Sequence, residues 1–178
     1  IFGANWTGNP PVKLWLNQLD PETKSPLPLN RWHYIQVTDQ HAQTFGLTFD
    51  DVNADGLKDI VSGNYWYQNP GGDMSGKWTQ TSLPVGMHAI LSTNVDDDNT
   101  ADIIAQKNEG DIALYWLEPT TTAGIVWQTV RIGSVPAASH ELGAQGYRSA
   151  RLNGDRPTIL ISSGNGIYGF TVPTAPSA

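Results

Sequence analysis

The sequence contains no cysteine, which excludes disulfides but neither requires nor excludes an oxidising compartment. Charged residues make up only 15% of the chain, and 10 basic residues against 17 acidic ones give a formal net charge of −7. Binding to a nucleic-acid backbone needs a positive surface, so this charge argues against a nucleic-acid partner. The sequence also lacks an apolar run of about 18 residues, so we expect no insertion into a membrane.

Helical periodicity is missing as well, whereas glycine, proline and tryptophan are abundant, with 18, 12 and 7 residues. This mixture favours short strands joined by many turns. The chain of 178 residues has the length of one domain that can bury a core. We therefore expect one all-β domain over residues 1-178.

Two features near the start of the chain bear on its location. The sequence begins at Ile1 instead of Met, which is typical of a processed product, and Asn5-Trp6-Thr7 is an N-glycosylation sequon. Together they predict a secreted protein that is glycosylated at Asn5.

Residues 51–59, DVNADGLKD, place oxygen-bearing side chains at alternate positions, followed by a glycine and a closing carboxylate. A loop that wraps a hard cation needs this pattern, and all-oxygen ligands select Ca²⁺ over zinc or copper. The loop is not an EF-hand, because Ser62 in a predicted strand holds the place of the bidentate glutamate. We expect ligation by the carbonyl of Leu57 and by four side chains: Asp51, Asn53, Asp55 and Asp59.

A second acidic loop covers residues 94–102, NVDDDNTAD, with Asn99 in place of the glycine. Asparagine is the residue that best tolerates left-handed backbone after glycine. A third copy, residues 151–156, has lost its first and last acids and is expected to bind no metal. The expected ligands of the second loop are the carbonyl of Thr100 and four side chains: Asn94, Asp96, Asp98 and Asp102.

A bound calcium would be structural, because clustered carboxylates repel one another and would loosen the turn without it. The alternative is that both loops are Asp- and Asn-rich turns that bind nothing.

The loops belong to a repeat of roughly 45 to 50 residues that occurs about three times. Each copy has an aromatic strand, a strand led by tryptophan, a histidine, an acidic loop and an apolar strand. The matching residues are Trp15, Trp66 and Trp116 in the aromatic strands, Trp32, Trp78 and Trp127 at the head of the next strands, and then His41, His88 and His140. Four short strands per unit is the size of a propeller blade, whereas sandwiches and barrels do not repeat such motifs in fixed order.

The phase of the repeat predicts a β-propeller of four-stranded blades: a partial blade over 1-37, blades over 38-83 and 84-132, and a partial blade over 133-173. We expect the chain to open on the third and fourth strands of a blade, Val12 to Leu16 and Trp32 to Val37, and to end on the first three strands of another. The opening tryptophan-led strand is therefore the one that the last blade lacks. Propellers have about four to eight blades, and only about three are present here. We expect a homodimer in which two copies complete each other's last blade as a six-bladed ring. The alternative is one segment of a longer propeller.

The segments FDDVNADGLKDIVSG and TNVDDDNTADIIAQ resemble the D-x-D/N-x-D-G-x-x-D-I/V cores of FG-GAP/VCBS repeats. That family forms the calcium-loop blades of integrin-type propellers and of many secreted proteins. The closing stretch HELGAQGYRSARLNGDRPTILISSGNGIYGF is similar to secreted carbohydrate-active members, among them mushroom lectins and the propeller of aldos-2-ulose dehydratase. The resemblance implies a secreted, calcium-stabilised propeller whose partner is a carbohydrate or glycoconjugate.

The candidate ligand-binding residues are the repeated histidines and the aromatic and polar residues outside the repeat pattern. An imidazole can contact a ligand, bind a metal or act as a base near neutral pH, and a repeated structural hydrogen bond is the alternative. A flat ring beside hydrogen-bonding groups is what a sugar pocket uses, although ordinary surface loops explain such residues equally well. These candidates are His41, His88, His140 with its neighbour Glu141, Tyr65, Tyr147 and Arg148.

No nucleophile or acid/base pair is convincing, so we expect a non-catalytic, lectin-like protein. One rival is a lyase or dehydratase of sugar derivatives, in which the three repeated histidines and Glu141 surround a metal. The other is a protein-interaction propeller of the integrin kind. A transition-metal site built on histidines would favour the enzyme, and sugar-sensitive agglutination would favour the lectin.

Overall fold

The computed structural model describes residues 2–4, 12–16, 33–41, 46–120, 125–137, 146–152 and 154–173. These ranges contain 14 β-strands and no helix, which confirms the all-β prediction. Within the same ranges, no helical segment has the length and hydropathy needed to cross a membrane.

The strands form four antiparallel sheets, and each sheet is a meander in chain order. Sheet 1 contains β1 (Phe2–Ala4), β2 (Val12–Leu16) and β3 (His33–Thr38). Sheet 2 contains β4 (Leu47–Asp50), β5 (Asp59–Ser62), β6 (Tyr65–Gln68) and β7 (Thr79–Ser82). Sheet 3 contains β8 (His88–Thr93), β9 (Asp102–Glu109), β10 (Asp111–Pro119) and β11 (Trp127–Val135). Sheet 4 contains β12 (Tyr147–Ala150), β13 (Thr158–Ser163) and β14 (Gly166–Thr171).

Sheet 1 differs from the expectation that the chain opens on two strands only. Strand β1 pairs with β2, Phe2 opposite Leu14, so this sheet has three strands. The sequence of β1, FGA, is too short to show an alternating pattern. A second difference is at the end of the blade expected over 84-132, because β11 continues to Val135.

Three apolar layers lie between consecutive sheets. The layer between sheets 1 and 2 contains Ile35, Val37, Ile60, Tyr67 and Trp78. The layer between sheets 2 and 3 contains Val52, Val61, Trp66, Leu83, Met87, Ala89, Ile103, Ala105 and Leu117. The layer between sheets 3 and 4 contains Ile90, Leu91, Val95, Ile104, Ile112, Leu114, Trp116, Val135, Ile159, Ile161 and Val172. The sheets are therefore stacked face to face in chain order.

The strands of sheets 2 and 3 supply side chains to two layers each. Ile60 packs toward sheet 1 and Val61 toward sheet 3, while Ile103 packs toward sheet 2 and Ile104 toward sheet 4. Successive side chains of a strand point to opposite faces, so a strand covered on both faces reads as an apolar run. This double burial explains why β5 and the start of β9 lack polar and apolar alternation.

The first strands of consecutive sheets lie beside one another. Strand β8 contacts both β4 and β12, and β4 also contacts β1. The backbone N–H of Ala89 in β8 donates to the carbonyl of Gly63 in the β5–β6 turn at 2.7 Å. A Cβ on Gly46, just before β4, would lie 2.2 Å from the carbonyl oxygen of Ala89. Sheets 2 and 3 thus meet backbone against backbone at Gly46, where no larger residue fits.

Candidate metal centre and ligand cleft

The loop between β8 and β9 carries a compact group of metal-ligating atoms. One carboxylate oxygen from each of Asp96, Asp98 and Glu118 lies within 4.8 Å of the other two. The two aspartates were predicted as ligands, but Glu118 was not, because it is remote in sequence on β10. Strand pairing brings it to the loop: Leu117 is opposite Ile103 in the β9–β10 ladder, so Glu118 falls opposite Asp102.

Glu118 of this group lies in the interior beside a fourth carboxylate, that of Asp102. Asp102 is fully buried and Glu118 is 9% exposed. The Oδ2 atom of Asp102 accepts a hydrogen bond from the backbone N–H of Val95 at 2.6 Å. Among the described groups, Asp102 Oδ1 and Glu118 Oε2 accept no well-aligned hydrogen bond, although the Trp116 and Glu118 side chains lie close enough to Asp102 to favour its ionised form. A buried carboxylate oxygen without a donor is unfavourable unless a proton or a cation lies beside it, so these two atoms fit a cation site.

The electrostatics of the pair agree with this geometry. Burial raises the pKa of Asp102. Burial, the interaction with Asp102 and the charges of Asp96 and Asp98 together raise the pKa of Glu118 to about 9. Without a cation, Glu118 therefore holds a proton near neutral pH and shares it with Asp102. A divalent cation can replace that proton and offset two of the four negative charges of the cluster.

The remaining predicted ligands of the second loop hold its shape. The backbone N–H of Asp97, at φ +65°, donates to Asn94 Oδ1 at 2.6 Å, and Asn94 Nδ2 donates to the carbonyl of Asp98 at 2.6 Å. The N–H and hydroxyl of Thr100 donate to Asp98 Oδ1 at 2.7 and 2.9 Å. Asn94 and Thr100 thus orient Asp98 beside Glu118.

The first acidic loop, between β4 and β5, is closed by hydrogen bonds of its own. The Asp51 carboxylate accepts the backbone N–H groups of Asp55 at 3.1 Å and Gly56 at 2.8 Å. Asn53 Nδ2 donates to Asp55 Oδ2 at 2.9 Å, and the N–H of Leu57 donates to Asp55 Oδ1 at 2.9 Å. Slight desolvation of the exposed Asp55 opposes its ionisation, but hydrogen bonds outweigh it and lower the pKa of this carboxyl.

The two loops share a closing bond and differ at one position. Asp59 Oδ2 accepts the N–H of Val52 at 3.3 Å, as Asp102 accepts that of Val95. Ile60 is opposite Tyr67, so the residue opposite Asp59 is Gln68, where the second loop has Glu118. The Gln68 side chain donates to Asp55. Neutral donors therefore satisfy the first loop, whereas the second is left with an excess of carboxylate oxygens.

His41 belongs to a hydrogen-bonded chain inside the protein. The Tyr67 hydroxyl and His41 Nδ1 form a hydrogen bond, and burial raises the pKa of that phenol. Ser62 Oγ lies 3.5 Å from His41 Nε2 and donates to the carbonyl oxygen of Gly46 at 2.9 Å. The Tyr65 ring lies 5.9 Å from the His41 ring between centroids. Both nitrogens of His41 are thus engaged within the protein.

This arrangement predicts a pH dependence of stability. Burial lowers the pKa of His41 from 6.5 to about 4, so folding favours the neutral imidazole. The contribution is complete above pH 6.5 and is lost as the pH falls from 6.5 to 4, at up to about 1.4 kcal/mol per pH unit. Urea unfolding at pH 7 and pH 5 should show a smaller loss for His41→Gln than for the wild type, and equal losses would contradict the assignment.

The other histidines of the repeat do not share the surroundings of His41. His88 is the first residue of β8, whereas His41 precedes β4, so the two are not at matching positions of their strands. Burial lowers the pKa of His88, and its Nδ1 has no partner among the described groups. His140, Glu141 and Asn5 lie outside the described residues.

A cleft of about 660 Å³ opens between the first strands of sheets 2, 3 and 4. Its polar lining includes Thr48 and Ser92, whose hydroxyls are 2.7 Å apart, and the exposed Arg148 and Ser149. Tyr147 also borders the cleft, but its ring packs partly into the layer between sheets 3 and 4, and burial raises the pKa of its phenol to about 12. Arg148 and the hydroxyl groups are therefore the side chains available to a ligand.

No protein-family model, curated protein or solved structure matches this chain. The fold and the site define its class: an all-β protein of stacked meander sheets with an acidic group that can bind a metal ion.

Proposed function

We propose that this chain is a secreted, calcium-stabilised repeat protein that binds carbohydrate without catalysing a reaction. The observation that carries the proposal is the group of Asp96, Asp98 and Glu118 in front of the buried Asp102. A set of carboxylates from a loop and a strand end suits Ca²⁺, which accepts six to eight oxygen ligands in variable geometry. When bound, the ion supplies the charge neutralisation that the interior carboxylates otherwise lack.

The architecture that fits best is a propeller of four-stranded blades. Support comes from meander sheets stacked in chain order, with first strands side by side and one tryptophan-bearing layer between neighbours. Radial repetition of this kind buries both faces of every inner sheet and leaves only short edges. In this arrangement the first strands of the blades line the central channel of the ring, and the cleft lies between them.

The cleft is the proposed carbohydrate site. Hydroxyl groups of Thr48, Ser92 and Ser149 and the guanidinium of Arg148 offer donors and acceptors above the aliphatic Leu91 and Leu160. Sugars present hydroxyl groups on one side and C–H groups on the other, and a mixed lining of this kind matches both. The FG-GAP/VCBS resemblance to secreted carbohydrate-active proteins points the same way.

The test is calorimetric titration of the calcium-loaded protein with a panel of mono- and oligosaccharides. Arg148→Ala should weaken binding of the positive sugar about tenfold, because a charged hydrogen bond is lost. Arg131→Ala is the matched control, since Arg131 is an exposed arginine on β11, outside the lining of the cleft. The carbohydrate proposal fails if no sugar binds, or if both variants weaken binding equally.

The enzyme alternative places the three repeated histidines and Glu141 around a metal, and His41 is the member whose contacts are described in most detail. Its Nδ1 is hydrogen-bonded to the Tyr67 hydroxyl, and its Nε2 faces Ser62. Such an imidazole has no free nitrogen for chemistry unless these contacts break, so the non-catalytic reading is the one that we propose.

A further inference from the structure

Strand β14 of sheet 4 corresponds to β6 of sheet 2. The turns before them have the same sequence, Ser-Gly-Asn, at residues 62–64 and 163–165, and both glycines have positive φ, 57° at Gly63 and 55° at Gly164. Tyr67 and Tyr168 then both pack toward the preceding sheet. In sheet 2 the outer neighbour of β6 is β7, whereas β14 ends its sheet within the described ranges.

In each four-stranded sheet, a tryptophan at the start of the fourth strand packs into the layer between that sheet and the preceding one. Trp78, directly before β7, is buried in the layer between sheets 1 and 2. Trp127, the first residue of β11, packs against the layer between sheets 2 and 3. The layer between sheets 3 and 4 receives no such residue from the described chain.

At the corresponding place, an apolar groove of about 640 Å³ runs between sheets 3 and 4. Val130 and Ile132 of β11 form one side, and Phe170 and Val172 form part of the other. Phe170 supports the groove, because its ring packs over Gly133 of β11, where a Cβ would lie 2.5 Å from it.

The edge of β14 beside this groove has backbone groups that suit another strand. Ser163 and Gly166 are opposite each other across the two-residue turn, so they form a hydrogen-bonded pair, and such pairs alternate along the hairpin. The N–H and C=O groups of Ile167, Gly169 and Thr171 therefore point away from β13. An edge of this kind is a template for strand addition.

We propose that the β14 edge and its groove bind an extended polypeptide segment of the fourth-strand type: a tryptophan followed by alternating residues. The register follows from sheet 2, where Gln68 is opposite Thr79 and Trp78 is thus opposite Asn69, the counterpart of Phe170. The tryptophan of the segment enters the groove, and its backbone pairs antiparallel with β14.

No further strand of the described residues takes this place. The fourth strand of sheet 1, β3, is already paired with β2. This inference rests on the repeat and its packing, and is independent of cation or carbohydrate binding.

The test uses the full chain and a fluorescein-labelled peptide with the sequence of residues 76–84, GKWTQTSLP, followed by fluorescence anisotropy. We expect saturable binding, and at least about tenfold weaker binding of the peptide with Trp78→Ala, since the buried indole is lost. Ile167→Pro in the protein removes one outward N–H at a side chain that is 78% exposed, and proline is tolerated at a free edge. This variant should lose binding, whereas Ile167→Thr, which keeps the N–H, should retain it.

Melting curves of both Ile167 variants establish that they fold. Equal binding of the two peptides, or unchanged binding to Ile167→Pro, would overturn the proposal. Absence of peptide binding would also overturn the proposal. If native mass then shows a homodimer, a second copy covers this face in place of a tryptophan-led segment.

Discussion

Glu118→Gln is expected to raise the melting temperature of the chelator-treated protein and to reduce the further increase that Ca²⁺ produces. Without a cation, folding at neutral pH requires Glu118 to take up the proton that it shares with Asp102, whereas a glutamine is neutral in both states and keeps a donor beside Asp102. Avoiding this proton uptake stabilises the folded state by about 1 to 3 kcal/mol. With calcium, the same substitution removes a charged ligand beside Asp96 and Asp98. One residue should therefore shift stability in opposite directions in the two conditions.

The measurement is thermal unfolding of wild type and variant with EDTA and with excess Ca²⁺. For a chain of this size, about 1 kcal/mol corresponds to roughly 2 to 4 °C. Saturation at a hundred times the dissociation constant stabilises the wild type by about 2.7 kcal/mol, and the variant should gain clearly less. Glu109→Gln is the control, because Glu109 is exposed on the same sheet and pairs with Lys107. Equal shifts for Glu118→Gln in both conditions would contradict the assignment.

Gly46→Ala should be the most destabilising small substitution in the contact between sheets 2 and 3. The added Cβ would lie 2.2 Å from the carbonyl oxygen and 2.7 Å from the Cα of successive residues, Ala89 and Ile90. These are backbone atoms of β8, so relief requires the strand itself to move. Shifting it also strains the hydrogen bond from Ala89 to Gly63. We expect a loss of about 2 to 4 kcal/mol in the free energy of unfolding, at the upper end for overpacking.

Urea unfolding measures this loss, and Gly169→Ala provides a matched control. A Cβ on Gly169 meets the side-chain methyl of Thr158 at 3.3 Å, with no backbone atom among its close neighbours. Its effect should stay within about 1 kcal/mol of the wild type. If Gly46→Ala is as stable as Gly169→Ala, the close approach of sheets 2 and 3 at this point is wrong.

The sequence predicts much of the fold because its repeat has strong local signals. The repeated tryptophans Trp66, Trp78 and Trp116, which mark the repeat in the sequence, are buried in the layers between sheets. Strand β1 was not predicted, because its three residues show no alternation of polar and apolar side chains and form a strand only by pairing with β2. Its formation depends on a tertiary contact, which no local propensity encodes.

The site was predicted in part for a similar reason. Spacing within the loop identified Asp96 and Asp98, since a cation loop carries its own periodic signal. Glu118 joins them because the β9–β10 register places it opposite Asp102. The only sequence signal for this ligand is that Glu118 holds the position that Gln68 holds opposite Asp59 in the preceding repeat. The role of His41 likewise depends on the remote hydroxyl of Tyr67, which the order of motifs along the chain does not show.

Calorimetric titration of Ca²⁺ into chelator-treated protein tests the central claim most directly. The account predicts saturable binding to the wild type, clearly weaker binding to Asp98→Ala and Glu118→Gln, and unchanged binding to Glu109→Gln. Absence of saturable binding to the wild type, or equal affinity in all four proteins, would contradict a calcium site at Asp96, Asp98 and Glu118.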